Sequence, residues 1–144
     1  MWKEYVAQVT DAATFSAPAT AHRRSEVETS LGVMFPHDLR ELLRETNGVV
    51  GEYDLGLVWD VDRIESDNLN FRSNADFAQI YMPFEPLLFF GDAGNGDQFA
   101  YVILSGVVRR QDIFVWNHEE DSRSWVAPSL REYFEWGTTG RLTY

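Results

Sequence analysis

Residues 87–116 read LLFFGDAGNGDQFAYVILSGVVRRQDIFVW. Three runs of strand length stand in this stretch, Leu87–Phe90, Phe99–Leu104 and Asp112–Trp116, each parted from the next by turn-forming residues. The first separator, 91–97, holds three glycines, and the second opens on Ser105-Gly106. Strands joined by such short connections pair antiparallel, because a parallel pair needs a long crossover. Asn117–Ser122 then forms a polar connection to a short strand signal at Trp125-Val126.

Upstream the apolar period changes from two to between three and four. Trp2, Tyr5, Val6 and Val9 share one helical face, and Pro18 interrupts this first helical segment. A second helix is expected over 20–31, capped by Thr20 and stopped by Gly32, with Val27 and Leu31 inward. Phe35-Pro36-His37-Asp38 opens a third helix that buries Leu39, Leu42 and Leu43, and Asn47-Gly48 is expected to close it through a left-handed turn. Leu55–Trp59 reads as a short strand, 60–72 as a helix carrying Val61, Ile64 and Leu69 inward, and 73–83 as irregular. Near the C-terminus, Ser129-Leu130-Arg131-Glu132 fits a capping box ahead of a helix that turns Leu130, Tyr133, Phe134 and Trp136 to the core. Helices, then strands, then a final helix describe a single α+β domain over 1–144, with helices packed on one side of the sheet. Its expected core includes Leu39, Leu42, Leu43, Leu88, Phe90, Tyr101, Ile103, Phe114 and Trp116.

Composition narrows the function. The chain has 144 residues, no Cys and a formal charge of −11. Disulfides, thiolate metal sites and a Cys nucleophile are therefore excluded. The first residues show no leader pattern and the apolar runs are far too short for a bilayer, so a cytoplasmic protein is expected. Residues 49–97 carry two Lys/Arg against ten Asp/Glu. Such a field repels nucleic acid and anionic membranes and attracts basic proteins, although an acidic surface also serves plain solubility. The expected contact residues are Glu52, Asp54, Asp60, Asp62, Glu65 and Asp67, with Glu119, Glu120 and Asp121 as a second edge. Tyr53 and Tyr81 are candidate aromatic anchors.

No spacing selects a catalytic group. The 91–97 loop could turn Asp92, Asn95 and Asp97 toward a cation, but Ala93-Gly94 breaks the alternation of a calcium loop and no distal Glu follows. It lacks the Gly-Lys-Ser/Thr of a phosphate loop, and a strand follows where a dinucleotide motif needs a helix. The plainer reading is a long turn in which Gly94 and Gly96 supply positive φ while Asp97 and its neighbours bond the turn's own backbone. His118-Glu119 lacks the second His of a zinc helix, and His22 and His37 stand apart from it. No Gly-x-Ser-x-Gly occurs, and neither turnover, nor a bound metal, nor a cofactor is expected.

Four segments together resemble the SMI1/KNR4 family of the SUKH superfamily. They are Leu31-Gly32-Val33-Met34-Phe35-Pro36 leading through a helix to Asn47-Gly48, Leu88–Phe99 with its Gly-Asp loop, Trp116-Asn117-His118-Glu119, and Val126–Phe134. Residues 49–80 match nothing distinctive there. The resemblance implies a central, mostly antiparallel sheet flanked by helices. It also implies a protein-binding role: an immunity protein that neutralises a cognate toxin, often a nuclease, or a regulatory interaction scaffold. A small-ligand or metal-binding domain built on the 91–97 loop is the alternative from another class. The oligomeric state and the partner's identity stay open.

Overall fold

The 87–127 region forms the meander that its turns dictate. In the computed structural model, which describes residues 1–144, strands β4 (Leu87–Asp92), β5 (Gln98–Val102), β6 (Ile113–Trp116) and β7 (Arg123–Ala127) pair in sequence order, all antiparallel. Leu88 stands opposite Tyr101 and Phe89 opposite Ala100, so neighbouring side chains of β4 enter opposite faces. A bulge between Phe89 and Gly91 lets Phe90 join Tyr101 and Tyr133 on one face, with ring centroids 4.9 and 5.4 Å away. On the other face, Phe71 lies 4.7 Å from Phe89, 5.0 Å from Phe84 and 5.4 Å from Trp116. Both faces of β4 are thus covered, which is why it reads as an unbroken apolar run.

A second, smaller sheet consists of β1 (Thr14–Phe15), β2 (Val49–Val50) and β3 (Gly56–Val58), again antiparallel. It meets β4 where the Trp59 amide donates to the Phe90 carbonyl at 2.7 Å. The α+β class and the antiparallel pairing agree with the sequence reading; the strands, however, form two sheets. Strands of two residues are too short to show alternation, so β1 and β2 carry no sequence signal.

The helices are α1 (Trp2–Val9), α2 (Ala21–Leu31), α3 (His37–Glu45), α4 (Val61–Ser73), α5 (Ala75–Ile80) and α6 (Leu130–Thr139). Thr20 accepts the Arg23 amide at 3.1 Å and Gly32 takes a left-handed φ of 69°, so α2 has the expected ends. Four details differ from expectation. First, α3 stops at extended Thr46. Gly48 is left-handed but lies beyond the helix, where a Cβ would sit 2.8 Å from the Val58 carbonyl, while Asn47 caps the Val61 amide at 3.0 Å. Second, 75–80 is a helix, because the Asn74 side chain accepts the amides of Asp76 and Phe77 and restarts the chain after α4. Third, the buried third contact of α4 is Asn68, whereas Leu69 is exposed. Fourth, the Ser129 side chain accepts no backbone amide; its hydroxyl donates to the Glu132 carboxylate.

One cluster of 31 buried residues forms the core. Of the nine expected members only Phe114 is half-buried; its strand neighbours Ile113 and Val115 are buried, as is Trp116. Leu130, Tyr133 and Phe134 of α6 are buried as expected, while Trp136 packs at the margin.

Two substitutions check this packing. Leu42→Ala, at a fully buried site, is expected to lose about 2–5 kcal/mol. Asn68→Ala strips partners from both backbone groups of Phe89 and is expected to lose at least about 1–3 kcal/mol. Urea denaturation measures both, and an unchanged midpoint for either variant removes that residue from the framework.

Candidate functional site

The glycine-rich turn between β4 and β5 organises one end of the molecule. Gly94 and Gly96 have φ of 97° and 98°, a region in which residues with a Cβ are strained. The Asn95 side chain accepts the Asp97 amide at 3.0 Å, the local bond expected of such a turn. Asp97 behaves differently from expectation. Rather than bonding its own turn, it reaches across to the 117–122 connection, where its Oδ1 meets the His118 backbone N–H at 3.1 Å and ring Nδ1 at 2.6 Å. The bare Gly96 makes this approach feasible, since a Cβ there would lie 2.9 Å from the His118 ring. Asp97 is 6% exposed. Burial pushes its carboxyl up, yet the two hydrogen bonds from His118 outweigh that and hold it below the usual aspartate value.

Gly94 faces Leu55 on the other side of the loop. The 91–97 turn therefore stands between two further turns, 52–54 and 117–122. Each carries exposed acids: Glu52 and Asp54 on one, Glu119 and Glu120 on the other. None of these four carboxylates is paired with a Lys, Arg or His.

The remaining acidic candidates are engaged within the fold. Asp60 caps α4 by accepting the Arg63 amide at 2.8 Å. Asp62 and Glu65 grip Arg23 of α2 at 2.9 and 2.8 Å. Asp67 meets Arg63 at 3.0 Å, and the same guanidinium forks onto Asp92 at 2.6 and 2.8 Å while stacking 4.1 Å over the Trp59 ring. Asp121 accepts from the Trp116 indole at 2.7 Å, the Met82 amide at 2.8 Å and Arg123 at 3.2 Å. Tyr81 is half-buried among Phe77, Phe84 and Trp116 and donates its hydroxyl to the His118 carbonyl, whereas Tyr53 is 98% exposed.

Asp97 and His118 form one closed pair, His22 and His37 lie against Glu26 and Asp38, and no group of three or more His, Asp or Glu converges as metal ligands. No helix is long and apolar enough to cross a membrane. Sequence reasoning missed Arg23 and Arg63, whose contacts to Asp62, Glu65 and Asp92 span 29 to 42 positions.

Fold and site define an α+β domain that displays two acidic turns around a rigid glycine loop. A family model described as SMI1-KNR4 cell-wall, of the SUKH group, matches residues 23–134. The chain belongs to that family. No curated protein matches it.

The loop's construction gives two expectations. Gly96→Val meets the His118 ring and a positive φ together and should lower stability by about 1–3 kcal/mol or more. Asp97→Asn keeps an acceptor and loses the charge. Because the folded carboxyl titrates below its unfolded value, its contribution is complete above about pH 4 and fades as pH falls through the lower, folded value. The gap in melting temperature between wild type and Asp97→Asn should therefore close on acidification below that point. A gap that stays constant to the acid limit removes the Asp97 charge from the stability of the loop.

Proposed function

We propose that this chain is a protein-binding module that neutralises a toxin by direct contact, its partner being a basic protein of the nuclease type. Family membership supports a binding role over a catalytic one. The observation that carries the reading is electrostatic. Many acids of the fold are consumed by Arg23, Arg63 and Arg123, yet Glu52, Asp54, Glu119 and Glu120 are left exposed and unpaired on two turns flanking the same loop. Nuclease clefts present Lys and Arg to phosphate, so a negative surface of this kind speeds encounter with them and competes with their substrate.

The test is co-expression with the toxin domain encoded beside its gene. Growth should be restored and a stoichiometric complex should elute as one peak; failure of both overturns the reading. The charge argument has its own measurement. Glu52→Gln, Asp54→Asn, Glu119→Gln and Glu120→Gln together leave the melting temperature near wild type, since Asn tolerates the left-handed φ of 58° at position 54. Association with the toxin at low salt should slow by about tenfold or more and lose its dependence on ionic strength. A wild-type rate across salt concentrations makes these acids a solubility surface.

A further inference from the structure

The turn at 52–54 is also one wall of a cleft. The end of α1, β3, the end of β4, α6 and the segment after it complete the enclosure, whose volume is about 620 Å³. That is the size of sites that enclose a small ligand or an inserted side chain. Its floor is aromatic. The Phe99 and Tyr133 rings meet edge to face at 5.0 Å, and Tyr144 lies edge-on to Phe99 at 5.5 Å. The Phe99 and Tyr133 rings are buried and the Tyr133 hydroxyl is spent on the Leu57 carbonyl at 2.7 Å, so they back the cleft, while Tyr144, 59% exposed, supplies its open ring surface.

The rim is anionic. Asp11 and Glu52 line it, both exposed and both without an ionic partner. Asp92 lines it too, already held by Arg63. No Lys, Arg or His is among the lining residues. Tyr53 stands at the mouth, 98% exposed, on a backbone with left-handed φ of 56°. A large apolar ring that is neither packed nor in a relaxed conformation gains nothing from folding at that place.

We propose that this cleft receives an arginine side chain from a loop of the basic partner, with Glu52 and Asp11 pairing the guanidinium and the exposed rings of Tyr144 and Tyr53 taking its stem and plane. This rests on the reading of the chain as a binder of a basic protein and supplies its anchor. Arginine fits better than lysine because its planar head stacks on rings and forks onto carboxylates in one pose. The molecule already uses that chemistry next door, where Arg63 stacks on Trp59 and forks onto Asp92. Charge complementarity draws the group in, and a desolvated aromatic pocket is where binding energy concentrates.

The probe is the peptide acetyl-Gly-Arg-Gly-amide, titrated into the isotope-labelled chain and followed by backbone amide shifts. Its twin carries citrulline, the neutral isostere of arginine. The arginine peptide should shift residues 52–55, 92–93 and 137–144 saturably, and the citrulline peptide should not. Asp11→Asn with Glu52→Gln should weaken the arginine peptide by about fivefold, since two exposed charge pairs are lost; neither residue is ion-paired in the fold, so the remaining spectrum stays in place. Tyr53→Ala should weaken it as well. Shifts confined to residues 62–67 or 118–121, or equal binding of both peptides, overturn the proposal. Two mixed results separate it from the toxin reading. If the cleft takes the arginine peptide but the neighbouring toxin is neither bound nor neutralised, the cleft stands and the toxin reading falls. If the toxin binds Asp11→Asn/Glu52→Gln with the wild-type Kd, the cleft is overturned and the toxin reading stands.

Discussion

A single buried carboxamide sets much of this architecture. The outward edge of β4 presents the N–H and C=O of Phe89, and no strand lies there to take both. Asn68, 1% exposed, accepts the Phe89 amide at 2.9 Å and donates to its carbonyl at 2.9 Å, with a second donation to Ile64 at 2.7 Å. The side chain thus stands in for a missing strand, and an apolar residue of the same size would leave two buried backbone groups unpaired. Fixing Asn68 inward also fixes the rotation of α4, because successive residues turn by about 100°. Val61 and Ile64 then face the core with it. Arg63 and Asp67 fall on one flank, beside Asp92 and Trp59, and Asp62 and Glu65 fall on the other, beside Arg23.

The distribution of charge follows from that rotation. The middle third of the chain holds ten acids against two bases, which on a bare chain would amount to strong self-repulsion. In the fold, Arg23 is supplied from α2 and Arg63 from α4 itself, each taking up two carboxylates. Burial opposes the charge on Arg63, but Asp92 and Asp67 more than restore it and raise its pKa above the ordinary value. Of the acids left without an ionic partner in this stretch, Glu52 and Asp54 stand exposed on the turn at 52–54, while Asp60, Asp76 and Glu85 are exposed elsewhere. A linear count of charge along the chain does not separate the acids that Arg23 and Arg63 engage from those left unpaired.

How far the sequence carries the structure depends on the range of each interaction. Helix ends written in adjacent residues are legible: Thr20 and Gly32 bound α2 as their residue types require. So is the antiparallel meander, since its turns and apolar runs are local. Asn68 is not, although positions 61, 64 and 68 have helical spacing, because a polar residue there looks solvent-facing and Leu69 beside it does not. Alternation with Trp116 points Phe114 to the core, while the register of β6 buries Ile113 and Val115 against Tyr101 and Phe99. The Asp97–His118 contact joins positions 21 apart. Both residues stand in motifs that the family resemblance marks, but their partnership needs coordinates. The cleft is less legible still, being assembled from α1, the 52–54 turn and the C-terminal segment.

The marked glycine loop and the turn at 52–54 are built differently. Gly94, Gly96, Asp97 and His118 interact with one another or with Leu55, and they keep three turns in fixed relation. A loop so held has little freedom left to lose when a partner docks, which removes part of the ordering cost of association. The charges displayed at 52–54, and the left-handed Tyr53 beside them, belong to the stretch 49–80 that carries none of the family's signatures. The Glu52, Tyr53 and Asp54 side chains make no hydrogen bond or ion pair within the fold, so one carboxylate or one ring there can change without disturbing Asn68, Asp97 or the sheet beneath.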